Sequence, residues 1–198
     1  MFGINEKPKS DGKKLEPVIR YDIQCMSIGF LTDEKTPMIW RGPMVTSAIK
    51  TFTQQVNWKD LDFIIVDMPP GTGDTQLTFS QGIEMNGAII ISTPQEVALL
   101  DVKRGIAMFD KLGVKILGLI DNMSSFTGDD GKKYAIFGEG GVKRTAKEFN
   151  KEFLAEIPID PNVGKFGDQG KPIVESNPNS KISQIYINLA KKIKSIYL

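Results

Sequence analysis

The sequence predicts an α/β fold in which a mostly parallel sheet is flanked by helices. Apolar runs at 62–67 and 87–92 end on polar residues, and a mainly apolar stretch at 114–120 leads into Asp121-Asn122, as expected of buried parallel strands. Stretches with helical spacing of apolar residues separate these runs. Strands that alternate with helices in this way are joined by crossover connections, which place the strands parallel in one sheet.

The first third of the chain predicts a loop, short strands and one long helix. Residues 1–17 are rich in Gly, Pro, Asn and Lys and predict a loop, followed by short strands at 18–21 and 24–31. Apolar residues then recur at helical spacing from Met44 to Val56, with Pro43 where a first-turn proline is tolerated. The strand 62–67 follows this helix and ends on an aspartate.

The remaining elements repeat the strand and helix alternation. In order, the patterns predict a helix at about 75–81, a strand at 87–92, a helix that begins near Glu96 and ends before Gly113, a strand at 114–120, a strand at 153–158, a turn at 160–162 and a last helix from about Asn179. The stretch 138–145 predicts a loop that leads into a helix. There are no internal repeats, so the simplest partition is a single domain over residues 1–198.

Composition excludes several classes of function. The 25 basic and 24 acidic side chains nearly cancel, so no global field attracts nucleic acid. No apolar run approaches the length that spans a membrane, so we do not expect a membrane partner. The sequence has no histidine, and this removes His-based general-base, triad and metal chemistry.

The single cysteine, Cys25, bears on both location and metal binding. It cannot form an internal disulfide, which fits a reducing, cytoplasmic setting. Iron–sulfur clusters usually take four thiolates, and even a symmetric pair of chains would supply only two. We therefore identify no iron–sulfur ligands in this chain and expect Cys25 to be a small core residue of its strand.

The stretch from Asp67 to Asp74 is the most informative motif. The strand 62–67 delivers the Asp67 carboxylate to the C-terminal edge of the sheet, where such a carboxylate holds the waters of a Mg²⁺ ion bound to phosphates. Two prolines stiffen the turn that follows. Gly71 and Gly73 then allow backbone N–H groups to approach a terminal phosphate.

Polar residues follow two more strands at the same predicted edge. They are the segment Ser92-Thr93-Pro94 and the pair Asp121-Asn122. Ligands of parallel sheets bind beyond these strand ends. The residues alone leave two roles open for Asn122: its side chain caps the next segment, or its donor and acceptor read the N6/N7 edge of adenine. Pro158 ends the fourth strand and Asp160 follows it, and we expect both to contribute to the same nucleotide site.

A phosphate loop of the form G-x-x-x-x-G-K-[ST] does not occur in the 198 residues. The stretch 138–145 resembles one superficially, but its spacing differs and no clear buried strand precedes it. The last helix leaves a further alternative open, because its basic amphipathic pattern suits either packing on the sheet or a membrane surface. Packing is the favoured interpretation.

Together these motifs resemble the Mrp/ApbC family of iron–sulfur carrier ATPases, which are relatives of the MinD and ParA group of P-loop proteins. The resemblance runs over nearly the whole chain. The matching segments are Trp40-Arg41-Gly42-Pro43-Met44, Asp67 to Asp74, Ser92-Thr93-Pro94-Gln95, Asp121-Asn122-Met123-Ser124 and Ile136 to Gly141. The first two of these are together specific to the family.

The resemblance implies a MinD-like P-loop fold that binds and hydrolyses ATP with Mg²⁺. It implies that Asp67 positions Mg²⁺ through water, that Gly71, Thr72 and Gly73 sense the γ-phosphate, that Asp74 orients water or the loop, and that Asn122 reads adenine. The family's phosphate loop and its strand are expected upstream of Met1, so this chain is expected to lack that strand.

The resemblance also implies cargo and partners. Many members carry a Cys-x-x-Cys pair, through which two subunits hold a bridging [4Fe–4S] cluster for delivery to apo iron–sulfur proteins. The corresponding interval here, 125–134, has no cysteine. A homodimer is expected. Two alternatives remain: a MinD-like membrane-associated positioning ATPase, and a non-catalytic remnant that binds a partner.

Overall fold

The computed structural model describes residues 1–31, 42–68 and 74–197. These residues form two compact units, one of Ile4–Glu84 and one of Met1–Gly3 with Met85–Leu198. Each unit is described by itself below, and the assignment of residues 1–198 to a single domain stays a prediction.

The first unit contains a small hairpin and two helices. Its elements are β1 (Val18–Arg20), β2 (Ile23–Cys25), a 3₁₀ turn (Ile28–Phe30), α1 (Gly42–Lys50), a π-helical turn (Thr51–Gln55) and α2 (Asp74–Gly82). Strands β1 and β2 pair antiparallel around Tyr21 and Asp22, whose φ angles of 52° and 58° form a tight hairpin turn. The predicted strand 24–31 is wrong beyond Cys25, because Ser27 Oγ accepts a hydrogen bond from Gly29 N and starts the 3₁₀ turn.

The predicted strand at 62–67 is also wrong. No strand forms between Val56 and Met68, and the side chains of Ile64 and Ile65 are 60% and 84% exposed. A continuous apolar run becomes a buried strand only where neighbouring strands supply backbone hydrogen bonds and cover both faces. In the described part of the chain no strand pairs with this run, so its apolar side chains remain in contact with solvent.

The second unit is a parallel α/β sheet. Its elements are β3 (Ala88–Ser92), α3 (Glu96–Lys111), β4 (Ile116–Thr127), β5 (Lys133–Tyr134), α4 (Gly141–Glu148), β6 (Phe153–Ile159), α5 (Pro161–Asp168), α6 (Ile173–Ser176) and α7 (Lys181–Tyr197). β4 is central and pairs parallel with β3 and with β6, while β5 adds an antiparallel pair at the far end of β4. The parallel sheet flanked by helices is confirmed.

Helices cover both faces of this sheet. On one face α3 and α4 pack against β4 through a cluster that includes Leu99, Ile106, Leu119 and Val142. On the other, Ile120 of β4 packs with the cluster Ile157, Ile173 and Ile182 of β6, α6 and α7. The last helix therefore packs on the sheet, which was the favoured interpretation of its sequence. Among the described residues, no helix is long and apolar enough to cross a membrane.

Gly118 sets the close approach of β4 and β6. A Cβ at this position would lie 2.6 Å from Leu154 Cγ and 2.7 Å from the Glu152 carbonyl oxygen. The same carbonyl accepts a hydrogen bond from Leu119 N at 2.8 Å. Because only glycine leaves room for this contact, Gly118 fixes the register with which polar residues farther along β4 meet β6.

Candidate functional site

Three polar residues lie side by side across the sheet of the second unit. Ser92 on β3 is the register partner of Asp121 on β4, and Asp121 is in turn the register partner of Glu156 on β6. Register partners on parallel strands share one face, so the hydroxyl and the two carboxyl groups project to the same side. The prediction that Ser92 and Asp121 meet at one edge is confirmed, and the structure adds Glu156.

Asn122 lies inside a longer strand than predicted. β4 does not end near Ile120 but continues to Thr127, because its last residues pair with β5 and with Ile159 of β6. Asn122 is partly buried. Among the described residues no group hydrogen-bonds its carboxamide, so the amide keeps both its donor and its acceptor for a ligand.

A bulge follows Asn122 directly. Asn122 pairs with Ile157 and Phe126 pairs with Ile159, so three residues of β4 (123–125) stand opposite the single residue Pro158 of β6. Met123 has a φ of +54°, a conformation that costs energy for a residue other than glycine. Irregular strand geometry of this kind is common beside functional sites because it redirects side chains.

Asp121 is the least satisfied polar residue of the unit. Its side chain is 2% exposed, and its Oδ1 atom is buried with no hydrogen-bond partner among the described residues. Burial, and secondarily the negative charge of Glu156, raise the pKa of Asp121 from 3.8 to about 6, against the opposing effect of Lys133. The carboxyl group is therefore poised to gain or lose a proton close to neutral pH.

The turn after β3 is held by its own side chains. Ser92 Oγ donates to the Thr93 carbonyl oxygen at 2.9 Å, and Thr93 Oγ1 donates to Gln95 Oε1 at 3.1 Å. A Cβ on Gly141 would collide with the Pro94 carbonyl oxygen and lie 2.8 Å from Leu99 Cδ1. The glycine-rich stretch 138–141 thus packs closely against this turn and leads into α4. This confirms the prediction that the stretch is a loop leading into a helix.

Asp160 and Pro158 lie beside the bulge. The predicted turn at 160–162 is wrong in type, because these residues begin helix α5 instead. Asp160 is its N-cap, with Oδ1 accepting a hydrogen bond from Asn162 N at 2.8 Å, and Pro161 occupies the first turn. This capping bond occupies one oxygen of Asp160. A nucleotide-binding role for Pro158 and Asp160 stays a prediction.

The residues of the predicted metal and phosphate site belong to the first unit. Asp67 is exposed, and no group in the described part of the chain hydrogen-bonds its carboxylate. A solvent-exposed carboxylate suits Mg²⁺ bound through water. Asp74 is the first residue of α2. The predicted phosphate sensors Gly71, Thr72 and Gly73 lie outside the described residues.

The hairpin at 126–134 offers oxygen and nitrogen donors instead of sulfur. Asp130 binds its own turn: its Oδ1 accepts from Lys132 N at 3.0 Å and its Oδ2 accepts from Tyr134 Oη at 2.9 Å. The hydrogen bond from Lys132, followed by that from Tyr134, lowers the pKa of Asp130.

The one cysteine of the sequence is a poor candidate for a cluster ligand. Cys25 lies at the end of β2 in the first unit, and its Sγ donates to the Ile23 carbonyl oxygen at 3.6 Å. It is partly buried, whereas the sequence predicted a core residue. Burial raises the pKa of its thiol, which disfavours the thiolate that would bind iron.

The prediction from sequence missed two features of the site, the orphan oxygen of Asp121 and the bulge after Asn122. The sequence carried a signal for the first feature. Asp121 directly follows the apolar run at 116–120, which indicates that it continues the same buried strand. The sequence carried no signal for the bulge, because the bulge depends on how many residues β4 and β6 each place between two paired positions.

Comparison with known proteins identifies a family. Residues 1–194 match the family model of ParA-type proteins described as NUBPL iron-transfer P-loop NTPases. The iron–sulfur cluster carrier protein of Synechocystis is 47% identical over 184 residues, which are 92% of this chain and 52% of that protein. The chain therefore spans about half the length of this relative.

Solved structures agree on the fold. A nucleotide-binding protein of Archaeoglobus fulgidus, in complex with ADP, superimposes with a TM-score of 0.71 at 36% identity, over 83% of this chain and 65% of that chain. The cell division ATPase MinD of Pyrococcus furiosus superimposes with a TM-score of 0.57 at 22% identity, over 79% of this chain and 59% of that chain. The second similarity shows a shared fold only.

Proposed function

We infer that this chain, which belongs to the family of NUBPL-type iron-transfer P-loop NTPases, forms part of an iron–sulfur cluster carrier that binds and hydrolyses ATP. The observation that carries the nucleotide role is the edge of the sheet at Asn122. There a carboxamide with no hydrogen-bond partner among the described residues lies directly before a strained bulge. The ADP complex of the similar Archaeoglobus protein supports nucleotide binding at this fold.

Asn122 supplies base recognition in this proposal. Its amide N–H donates to the N7 acceptor of adenine, and its carbonyl oxygen accepts from the N6 amino group. Guanine presents an acceptor where adenine presents that amino group, so the same amide favours ATP over GTP. Pro158 and Asp160 border this position, and the Asp160 oxygen that the capping bond does not use is proposed to contact the base or ribose.

Asp67 is proposed to anchor Mg²⁺ through a water molecule. When bound, the ion neutralises the negative charge that develops on the phosphates. Asp67 accepts hydrogen bonds from the ion's water shell, for which its solvent-exposed carboxylate is suited. Gly71, Thr72 and Gly73 are proposed to contact the γ-phosphate through their backbone N–H groups, and Asp74 to orient the loop or the attacking water.

The cluster is cargo in this proposal. A [4Fe–4S] cluster needs about four thiolates, and these 198 residues hold one cysteine. We therefore do not assign cluster ligation to this chain by itself. A homodimer in a reducing, cytoplasmic compartment, which changes its contacts on hydrolysis and passes clusters to apo iron–sulfur proteins, completes the proposal.

The test compares the chain with a chimera in which the phosphate-loop segment of an iron–sulfur carrier relative precedes Met1. Phosphate release from ATP is expected to be Mg²⁺-dependent in the chimera and negligible in the chain alone, because the backbone cradle and lysine of that loop supply positioning and charge. Asp67→Asn in the chimera is expected to lower turnover by at least about 100-fold with little effect on folding.

The exposed Asp62→Asn, which removes the same charge from the same segment, is the matched control and is expected to retain turnover. An Asp67→Asn chimera as active as its Asp62→Asn counterpart would show that Asp67 does not anchor the metal. Equal turnover in the chain and the chimera would show that the phosphate loop is dispensable. Absence of nucleotide binding in both would favour a non-catalytic partner protein.

A further inference from the structure

Asp121 and its neighbours form a charged group that lacks one positive charge. The charged side chains acting on Asp121 are Glu156 from β6 and Lys133 from β5. Its partner on β3 is the uncharged Ser92. Helices α3 and α4 cover this face of the sheet with apolar side chains. Two carboxylates and one ammonium leave a net charge of −1, and the buried Oδ1 of Asp121 has no donor in the described part of the chain.

The ionised form of the Asp121 carboxyl group is energetically disfavoured in this position. Burial without a donor disfavours the charged form, and the like charge of Glu156 adds repulsion. Lys133 is engaged with Glu156, with its Nζ 3.9 Å from Glu156 Oε2. A single proton on Asp121 removes the imbalance, since it brings the group to net neutrality and turns the side chain into a neutral acid.

The consequence falls on the bulge, because every element that holds the charged group also holds the bulge. Asp121 precedes Asn122 and the three bulged residues on β4. On β6, Glu156 lies directly before Ile157, and Ile157 and Ile159 pair with β4 on the two sides of the bulge. Lys133 belongs to β5, whose partners Phe126 and Thr127 follow the bulge immediately. The strand pairing that frames Asn122 therefore involves the same strands, β4, β5 and β6, that carry the charged group.

We propose that an ionised Asp121 draws water or Lys133 towards its carboxylate and so disrupts the strand pairing around the bulge that follows Asn122. We call this proton-dependent pairing the latch: it is closed, with the pairing intact, when the carboxyl group is neutral, and open when the group is ionised. Through the latch, Asp121 acts as a positioning residue for base recognition. This effect on nucleotide binding rests on the proposed role of Asn122 in binding ATP. Lower pH closes the latch and favours nucleotide binding. By reciprocity, nucleotide binding at the closed bulge is accompanied by proton uptake.

The magnitude follows from the neutral fraction of Asp121. For a group that titrates at about pH 6, this fraction falls roughly 25-fold between pH 5.5 and pH 7.5. If only the closed state protects the bulge, the protection factor of its amides is the inverse of the ionised fraction, and it falls about 10-fold between pH 5 and pH 8. The nucleotide affinity of the chimera described above is expected to fall with the neutral fraction, by up to about 25-fold between pH 5.5 and pH 7.5.

The first measurement needs no nucleotide. Hydrogen exchange of the amides at 121–126 and 156–159, corrected for intrinsic rates, is followed from pH 5 to pH 8 in the purified chain. Protection is expected to fall by about 10-fold in the unmodified chain and to be independent of pH in Asp121→Asn. Asp129→Asn is the matched control, because Asp129 is an exposed carboxylate of the same hairpin. It is expected to retain the full transition.

Two further variants test the mechanism even if Asp121→Asn does not fold. Glu156→Gln removes the repelling charge and is expected to shift the midpoint of the transition to lower pH, while Lys133→Met removes the attracting charge and is expected to shift it to higher pH. Midpoints that do not move in these directions, or protection that is equally pH-dependent in Asp121→Asn, would overturn the latch.

The second measurement separates the latch from the proposed function. Calorimetric titration of the chimera with ATP, in buffers of different ionisation enthalpy, counts the protons taken up on binding. Uptake that disappears in Asp121→Asn supports the coupling, and binding without uptake overturns it. If ATP does not bind at any pH while the exchange transition remains, the proposed function fails and the proton-dependent latch stands.

Discussion

Replacement of Asp121 by Asn predicts a change in how stability depends on pH. Asparagine keeps the shape of the side chain but does not titrate. The pKa of Asp121 is about 6 in the folded protein and 3.8 is its ordinary value, so the folded state disfavours ionisation by about two pKa units. At 1.36 kcal/mol per unit, ionisation of this group lowers the free energy of unfolding by at most about 3 kcal/mol.

The sign of the effect is set by which state keeps the proton. Below about pH 4 the group is protonated in both states and costs nothing. Between about pH 4 and pH 6 the unfolded chain ionises while the folded protein keeps its proton, so stability falls as pH rises. Above about pH 6 the full cost is present. The Asp121→Asn variant lacks this contribution at every pH.

The assay is urea unfolding at intervals from pH 4 to pH 8. The free energy of unfolding of Asp121→Asn, minus that of the unmodified protein, is expected to become more positive by about 2–3 kcal/mol across this range. The buried amide leaves polar atoms unpaired, which costs about 1–3 kcal/mol at every pH and displaces the curve without changing its slope. Asp129→Asn should follow the unmodified protein, and parallel curves for Asp121→Asn would refute the reasoning.

Two further predictions concern packing and cluster binding. Gly118→Ala is expected to destabilise the protein by about 1–3 kcal/mol in urea unfolding because its Cβ meets the Glu152 carbonyl, whereas Gly105→Ala, within α3 and with open space around it, is expected to stabilise it by up to about 1 kcal/mol; equal effects would contradict the close approach of β4 and β6. Anaerobic incubation of the chain with iron and sulfide is expected to leave no stoichiometric charge-transfer absorbance, and a stable band abolished by Cys25→Ser would show that this cysteine binds a cluster.

The sequence was sufficient to predict the sheet of the second unit. The strands at 88–92, 116–120 and 153–159 follow from apolar runs that are covered on both faces by helices of the same unit, so local pattern and tertiary environment agree. The run at 62–67 has the same pattern but no strand pairs with it in the described part of the chain, and its secondary structure depends on that pairing.

The candidate site was predictable in its location and not in its detail. Strand ends of a parallel sheet meet at one edge, which is why Ser92, Asp121 and Asn122 were identified together. The extension of β4 to Thr127 depends on pairing with β5, a two-residue strand too short to give a sequence signal. The bulge follows from that extension, so it could not be predicted from local pattern, whereas the position of Asp121 directly after the apolar run was visible in the sequence.

The most direct test of the central claim is the discrimination between ATP and GTP by the chimera and by its Asn122→Ala variant, measured by calorimetry at pH 6. The proposed role of Asn122 predicts that the chimera binds ATP at least about 10-fold more tightly than GTP, and that Asn122→Ala loses most of this preference. The exposed Asn179→Ala serves as the control and should keep it. Equal affinity for ATP and GTP, or an undiminished preference in Asn122→Ala, would contradict base recognition at this edge of the sheet.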